Sequence, residues 1–307
     1  MKHLTTILIY IIVSLIIVPV CAQTNGYKEV QLTNNNFDNS YASYNKEGEI
    51  IVFESNRNGN WQIYIMDVNG NKQERIINSS SNDRHPTWHP SKNIILFESD
   101  RTGINELYTY NLSGKTLKKV PIDLKGNKMY AQFAPNGGEL VFNYKVSDNN
   151  YNIYTISKNG KRRRTIINNA YRNVYPRYRP KGDAILYFSK KHTKNIDNEI
   201  YVYNIIIKKE KRLTLTSEDN HFASYSNNGV RVAYASVMDT GNSEIFIMNT
   251  DGSSKRQITF NSGGSTLPNW SPKDINLLIT GQRNGHDQIC RILLKEKIFV
   301  GKIEKEN

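Results

Sequence analysis

Pro86-Thr-Trp88-His-Pro-Ser-Lys92 decides the fold, because it is one of six versions of a single phrase. The others are Ala42-Ser-Tyr44-Asn-Lys-Glu-Gly48, Ala131-Gln-Phe133-Ala-Pro-Asn-Gly137, Pro176-Arg-Tyr178-Arg-Pro-Lys-Gly182, Ala223-Ser-Tyr225-Ser-Asn-Asn-Gly229 and Pro268-Asn-Trp270-Ser-Pro-Lys-Asp274. Their aromatics stand 44, 45, 45, 47 and 45 residues apart. A repeat of that length, filled with strand patterns, marks a β-propeller with one blade per repeat. The expected fold is therefore all-β, a six-bladed β-propeller of four-stranded antiparallel blades.

The second repeat shows how the strands fall. His85-Pro-Thr-Trp88-His is the innermost strand, turned by Pro90-Ser-Lys92 into the β-rich run Ile94-Ile-Leu-Phe97-Glu-Ser. Asp100-Arg-Thr-Gly103 leads to a third strand, Glu106-Leu-Tyr-Thr-Tyr-Asn111, and Asn111-Leu-Ser-Gly114 turns into the outer run Leu117-Lys-Lys-Val120. Alternating β-branched and aromatic runs bounded by Gly, Pro and Asn are strand and turn signals. Gly70, Gly160 and Gly252 close the matching hairpin elsewhere, whereas the fourth repeat carries Asn204-Ile-Ile-Ile207 and predicts an altered one. Lys28-Glu-Val-Gln-Leu-Thr33 resembles the outer-strand endings Lys255-Arg-Gln-Ile-Thr259 and Lys211-Arg-Leu-Thr214. It is expected to supply the last blade's outer strand and close the ring, with Ile298–Ile303 as the competing candidate. Closure protects edges that would otherwise pair with other chains.

The apolar run Ile7–Val20 follows Met1-Lys-His and ends in Val20-Cys-Ala22. A charged start, short apolar core and small-residue end describe a secretory signal. Residues 1–22 are read as a cleaved signal peptide and 23–307 as a single propeller domain. A lipid on Cys21 ranks second, because Val20 is bulky where lipoprotein processing prefers small residues; an uncleaved anchor ranks third, since a span needs about 20 apolar residues. The expected location is periplasmic or secreted, with no transmembrane span in the mature chain. Cys290 would then be the lone cysteine, in the slot held by Tyr64, Tyr108, Tyr154, Tyr201 and Phe246. Burial in the core is the expectation for it.

The net charge of +13 is concentrated partly in Lys161–Arg164 and in Lys208, Lys209, Lys211 and Arg212. Such runs attract anions, but solvated strand ends and hairpins explain them better. No nucleic-acid recognition module is visible, and nucleic acid is not expected as a partner.

The phrases resemble the TolB-type propeller repeat, whose form is W-S-P-D-G, then F-x-S-x-R-x-G, then I-Y-x-M-D-x-D-G. The matching residues are Trp270-Ser-Pro-Lys-Asp274, Phe53-Glu-Ser-Asn-Arg57-Asn-Gly59, Phe97-Glu-Ser-Asp-Arg101-Thr-Gly103, Ile63-Tyr-Ile-Met-Asp67-Val-Asn-Gly70 and Ile245-Phe-Ile-Met-Asn-Thr-Asp-Gly252. The resemblance covers roughly residues 27–295 and implies a stand-alone propeller without the α/β domain that precedes it in TolB itself. It also implies a periplasmic protein-binding platform. Other members of this group precede serine peptidase domains or act as oligogalacturonate lyases.

In a propeller, the loops entering the innermost strand share a face with those joining strands two and three. Three residues before each aromatic stand Tyr41, His85, Tyr130, Tyr175, Phe222 and Leu267, expected at the channel mouth, with Arg84 and His221 one step earlier. Arg57, Arg101, Lys191 and Arg283 come to that face from four different repeats. Aromatic faces stack on sugars or apolar peptide groups and guanidinium forks grip carboxylates. As a set these residues predict a binding funnel, although each arginine taken singly is better read as a loop brace. His85 and His221, in the second and fifth repeats, are too far round the ring to share a metal at bonds of about 2.0–2.1 Å. No metal or cofactor is expected.

A serine peptidase is disfavoured, because no Gly-x-Ser-x-Gly elbow is present. The leading expectation is a non-enzymatic, exported binding platform for an envelope protein or lipoprotein. The alternative is a carbohydrate-active or sugar-binding protein acting on an anionic glycan, as an oligogalacturonate lyase does.

Overall fold

The computed structural model describes residues 27–191, 197–261 and 263–294. They form six four-stranded antiparallel sheets set around an axis as propeller blades. The first blade is Asn39–Tyr44, Ile50–Ser55, Gln62–Asp67 and Glu74–Arg75, from axis to rim. The second is Asp83–Trp88, Ile94–Ser99, Glu106–Asn111 and Thr116–Lys119, close to the strands read from its sequence. Blades three to five begin with the innermost strands Lys128–Phe133, Asn173–Tyr178 and Asn220–Tyr225. In the sixth, Ser265–Trp270, Asn276–Arg283 and His286–Leu293 are completed by Lys28–Gln31 from the other end of the chain.

That last strand closes the ring as predicted. Lys28 pairs with Leu293 and Gln31 with Cys290 in antiparallel register. Leu32 N–H continues the pairing to Ile289 O at 2.8 Å. Glu29, buried, forms an ion pair with Arg283 and accepts from Asn261 Nδ2 at 2.9 Å. The competing segment Ile298–Ile303 lies outside the described residues, as does the signal segment 1–22.

The apolar core sits between blades rather than at one centre. Leu96, Leu107 and Val120 of the second blade meet Phe133, Leu140 and Phe142 of the third in one buried cluster. The repeated aromatics staple neighbours together: Trp88 Nε1 donates to Ser43 O at 3.1 Å and Trp270 Nε1 to Ser224 O at 3.2 Å. An indole buried in this way gains from apolar burial and from a satisfied N–H. Cys290 is fully buried opposite Ile279, in its expected slot.

The outer hairpins come in two forms. Gly70, Gly160 and Gly252 are left-handed, and a Cβ on Gly160 would lie 1.9 Å from Pro121 O, the exit of the preceding blade's outer strand. The second and fourth blades instead use longer turns in which Lys115 (φ 47°) and Lys208 (φ 52°) take the left-handed position. Asn204–Ile207 can do without glycine because its turn, like the second blade's, places a lysine at the left-handed position. The basic runs 161–164 and 208–212 lie on hairpins and outer strands at the rim, mostly exposed.

Candidate functional site

Every innermost strand carries the same irregularity. Its register against the second strand slips between Ser40 and Ser43, Arg84 and Thr87, and at the four equivalent places in the other blades. The residue within each slip is left-handed: Tyr41, His85, Tyr130, Tyr175, Phe222 and Leu267 have φ between 51° and 59°. Non-glycine side chains seldom take that conformation, and a bulge re-aims the side chain it carries. For His85, Tyr130 and Tyr175 a polar residue from the preceding blade holds it in place. Glu54 Oε2 accepts from His85 N–H at 2.6 Å, Glu98 Oε2 from Tyr130 N–H at 2.8 Å, and Asn143 Oδ1 from Tyr175 N–H at 2.8 Å.

The six side chains meet on the axis and form a plug. Ring centroids lie 4.1 Å apart for Tyr41 and His85, 4.5 Å for His85 and Tyr130, 5.9 Å for Tyr130 and Tyr175, and 5.1 Å for Tyr175 and Phe222. Tyr41 and Phe222 close the circuit at 6.3 Å, and buried Leu267 completes the set. Burial, followed by the nearby Tyr130 and Glu54, lifts the Tyr41 phenol well above its ordinary range. Burial, followed by Glu98, raises Tyr130 to about 12. Both are neutral hydrogen-bonding groups at physiological pH. His85 Nδ1 stands 2.7 Å from Glu98 Oε1.

The cations expected at the same face are each held where they stand. Arg101 pairs with buried Asp83 at 2.8 Å and covers the Tyr108 ring; Arg57 donates to Asn39 Oδ1 at 2.8 Å and covers Tyr64. Lys191 pairs with Glu210 and donates to Tyr187 Oη at 2.9 Å, while Arg283 pairs with Glu29. Arg84 pairs with Glu54 at 2.7 Å and lies over Trp61. These contacts are bracing contacts of the kind read for each arginine singly. His221 packs edge-on against Phe222, and burial holds its imidazole below the ordinary value despite Asp219.

On the other side of the plug the channel widens into a cavity of about 520 Å³. Tyr41, His85, Tyr175 and Leu267 form its floor. Its wall is one residue from each blade, the one immediately before the repeated aromatic: Ser43, Thr87, Gln132, Arg177, Ser224 and Asn269. The rim is the proline-rich turns, including Pro90, Pro135, Pro180 and Pro272, with His89 and Lys46. The funnel expected from the sequence lies at the opposite end of the axis, and its residues do not include this ring. The signal was there: all six positions are polar, in strands whose next residue is always a buried aromatic. Among the described residues no group of three or more His, Cys, Asp or Glu side chains is placed to hold a metal.

With fold and channel in view, the chain is a six-bladed β-propeller whose fold is similar to that of TolB. The family model of the TolB β-propeller domain matches residues 22–142. TolB from Acinetobacter baumannii superposes with a TM-score of 0.67 at 19% identity, over 84% of this chain and 63% of that one. This chain thus spans less than two thirds of that relative's length. A putative TolB from Agrobacterium tumefaciens gives 0.68 at 16% identity, over 85% and 92% of the two chains. An oligogalacturonate lyase from Vibrio parahaemolyticus gives 0.59 at 13% identity, over 89% and 95%. Identities this low carry the fold and not the activity.

Proposed function

We propose that the protein is an exported, non-enzymatic binding protein of the cell envelope that holds a partner or ligand at its central channel. The observation that carries this reading is the axial cavity, closed at its inner end by the aromatic plug and walled by the same repeat position in all six blades. Its volume falls among those of ligand pockets, about 300–1,000 Å³. Tyr41, His85 and Tyr175 supply the floor that an entering group meets, and Tyr130 and Phe222 back them. The signal-like segment Met1–Ala22 supports export to the periplasm or beyond. No helix among the described residues is long and apolar enough to cross a membrane. A protein or lipoprotein of the envelope is the partner that suits this location.

An anionic glycan is the second reading, favoured by a cavity lined by Lys46 and Arg177 and by no carboxylate. The test is affinity capture from native envelope extract, comparing the mature protein with Asn269→Trp, which fills the cavity from its wall. A partner captured by the wild type and lost from the variant supports the reading. Capture that survives the substitution moves binding away from the cavity. If nothing is captured and uronate-rich fragments bind instead, the glycan reading replaces it.

A further inference from the structure

The chemistry of the cavity wall identifies a ligand class, an inference that rests on the binding reading above. Arg177 is only 7% exposed and has no ion-pair partner among the described residues, in contrast to Arg84, Arg101 and Arg283. Its Nη1 donates to Tyr130 O at 3.2 Å and Pro176 O at 2.9 Å, and its guanidinium carbon lies 3.6 Å from the Tyr175 ring centroid. These contacts hold the guanidinium plane still. Nε and Nη2 have no acceptor among the described residues, and Arg177 lines the cavity.

A buried guanidinium without a counter-charge is unfavourable, and its planar edge matches the two oxygens of a carboxylate. The neighbouring groups point the same way. Gln132 Oε1 accepts from Tyr178 N–H at 2.8 Å, which leaves its Nε2 amide as a donor with no acceptor among the described residues. Asn269, at the same level of the wall, also has no side-chain partner there. Unused donors thus line a wall that carries positive charge and no aspartate or glutamate.

We propose that the cavity is a carboxylate socket, in which Arg177 receives the acid group through Nε and Nη2 and Gln132 and Asn269 add hydrogen bonds. Apolar parts of the ligand rest on Tyr175 and Leu267. Two sources supply such a group: the free C-terminus of a polypeptide, which a blind cavity admits end-first, and a small organic acid.

The test uses the mature protein and two sets of probes. One is a degenerate tetrapeptide library immobilised through its N-terminus, as free acid and as amide; the other is succinate and phenylacetate by calorimetry. Binding is expected in at least one arm, and the arm identifies the source. Affinity should fall about 10- to 100-fold in Arg177→Gln, the loss expected for a hydrogen bond to a charged group. Gln132→Glu guards against misfolding, because it keeps the acceptor for Tyr178 N–H while placing a negative charge beside Arg177. Its melting temperature should stay near wild type while acid binding is lost. No binding in either arm, or undiminished binding by Gln132→Glu, overturns the proposal. Cavity-dependent capture of an envelope partner without acid binding would reject the carboxylate socket and keep the binding reading. Acid binding without any partner would do the reverse.

Discussion

Glu54, in the second strand of the first blade, accepts the backbone N–H of His85 at 2.6 Å and pairs with Arg84 at 2.7 Å. One buried carboxylate thereby fixes the left-handed residue that places an imidazole on the propeller axis. Removing it leaves a guanidinium and an N–H without their acceptor. Glu54→Ala is expected to cost about 3–5 kcal/mol, the range for breaking a buried ion pair from one side. Glu54→Gln, which keeps one acceptor, should cost clearly less. Urea unfolding of both variants checks this, and equal losses would mean that the carboxylate does not hold the bulge.

The inter-blade indole gives a second expectation. Trp88→Ala should lose about 3–5 kcal/mol through the cavity it leaves. Trp88→Phe retains most of the apolar contact and removes the bond to Ser43 O, worth about 1 kcal/mol. Thermal melts of the two variants separate packing from the hydrogen bond.

Ring closure depends on Glu29. Glu29→Lys sets a like charge against Arg283 at a buried contact and should release Lys28–Gln31 from His286–Leu293. An unpaired strand edge invites association. The expected result is a loss of several kcal/mol with dimers or larger species on size-exclusion chromatography. A monomer with unchanged stability would place the closure energy elsewhere.

Burial lowers the folded-state pKa of His221, with Asp219 opposing. As pH falls through the unfolded value of about 6.5, the unfolded chain takes up a proton that the folded chain does not. Stability therefore declines as pH drops below that value, and continues to decline until the folded imidazole also titrates. His221→Gln should flatten this part of a melting-temperature profile between neutral and mildly acidic pH. An unchanged slope would show that other groups carry it.

Gly160 combines a left-handed φ of 77° with a Cβ position 1.9 Å from Pro121 O. Gly160→Ala must therefore move either the hairpin or the neighbouring blade. It should lower the melting temperature, whereas Gly59→Ala, with open space around it at a similar φ, should do so less.

The propeller was legible from sequence because its strands report themselves locally. Trp88, Phe133 and their equivalents recur at a nearly constant step, turns carry Pro and Gly, and Lys28–Thr33 repeats the ending of other outer strands. Even the convergence of Tyr41, His85, Tyr130, Tyr175 and Phe222 followed from their offset to the repeated aromatic. What they do on meeting did not follow. That they fill the axis as a plug depends on six bulges, of which those at His85, Tyr130 and Tyr175 are held by Glu54, Glu98 and Asn143 from adjacent blades. Arg101 and Arg283 read as rim cations, but their carboxylate partners Asp83 and Glu29 lie about 18 and 254 positions away in the chain. Nothing in the sequence around Arg177 marks it, because the absence of a counter-charge among the described residues is a property of its surroundings. Periodicity and local turn chemistry, which act over a few residues, determined the fold, the blade count and the closing strand. Which charges are satisfied, and where the channel stays open, was decided only when distant strands came together, because pairing and burial are set in space and not along the chain.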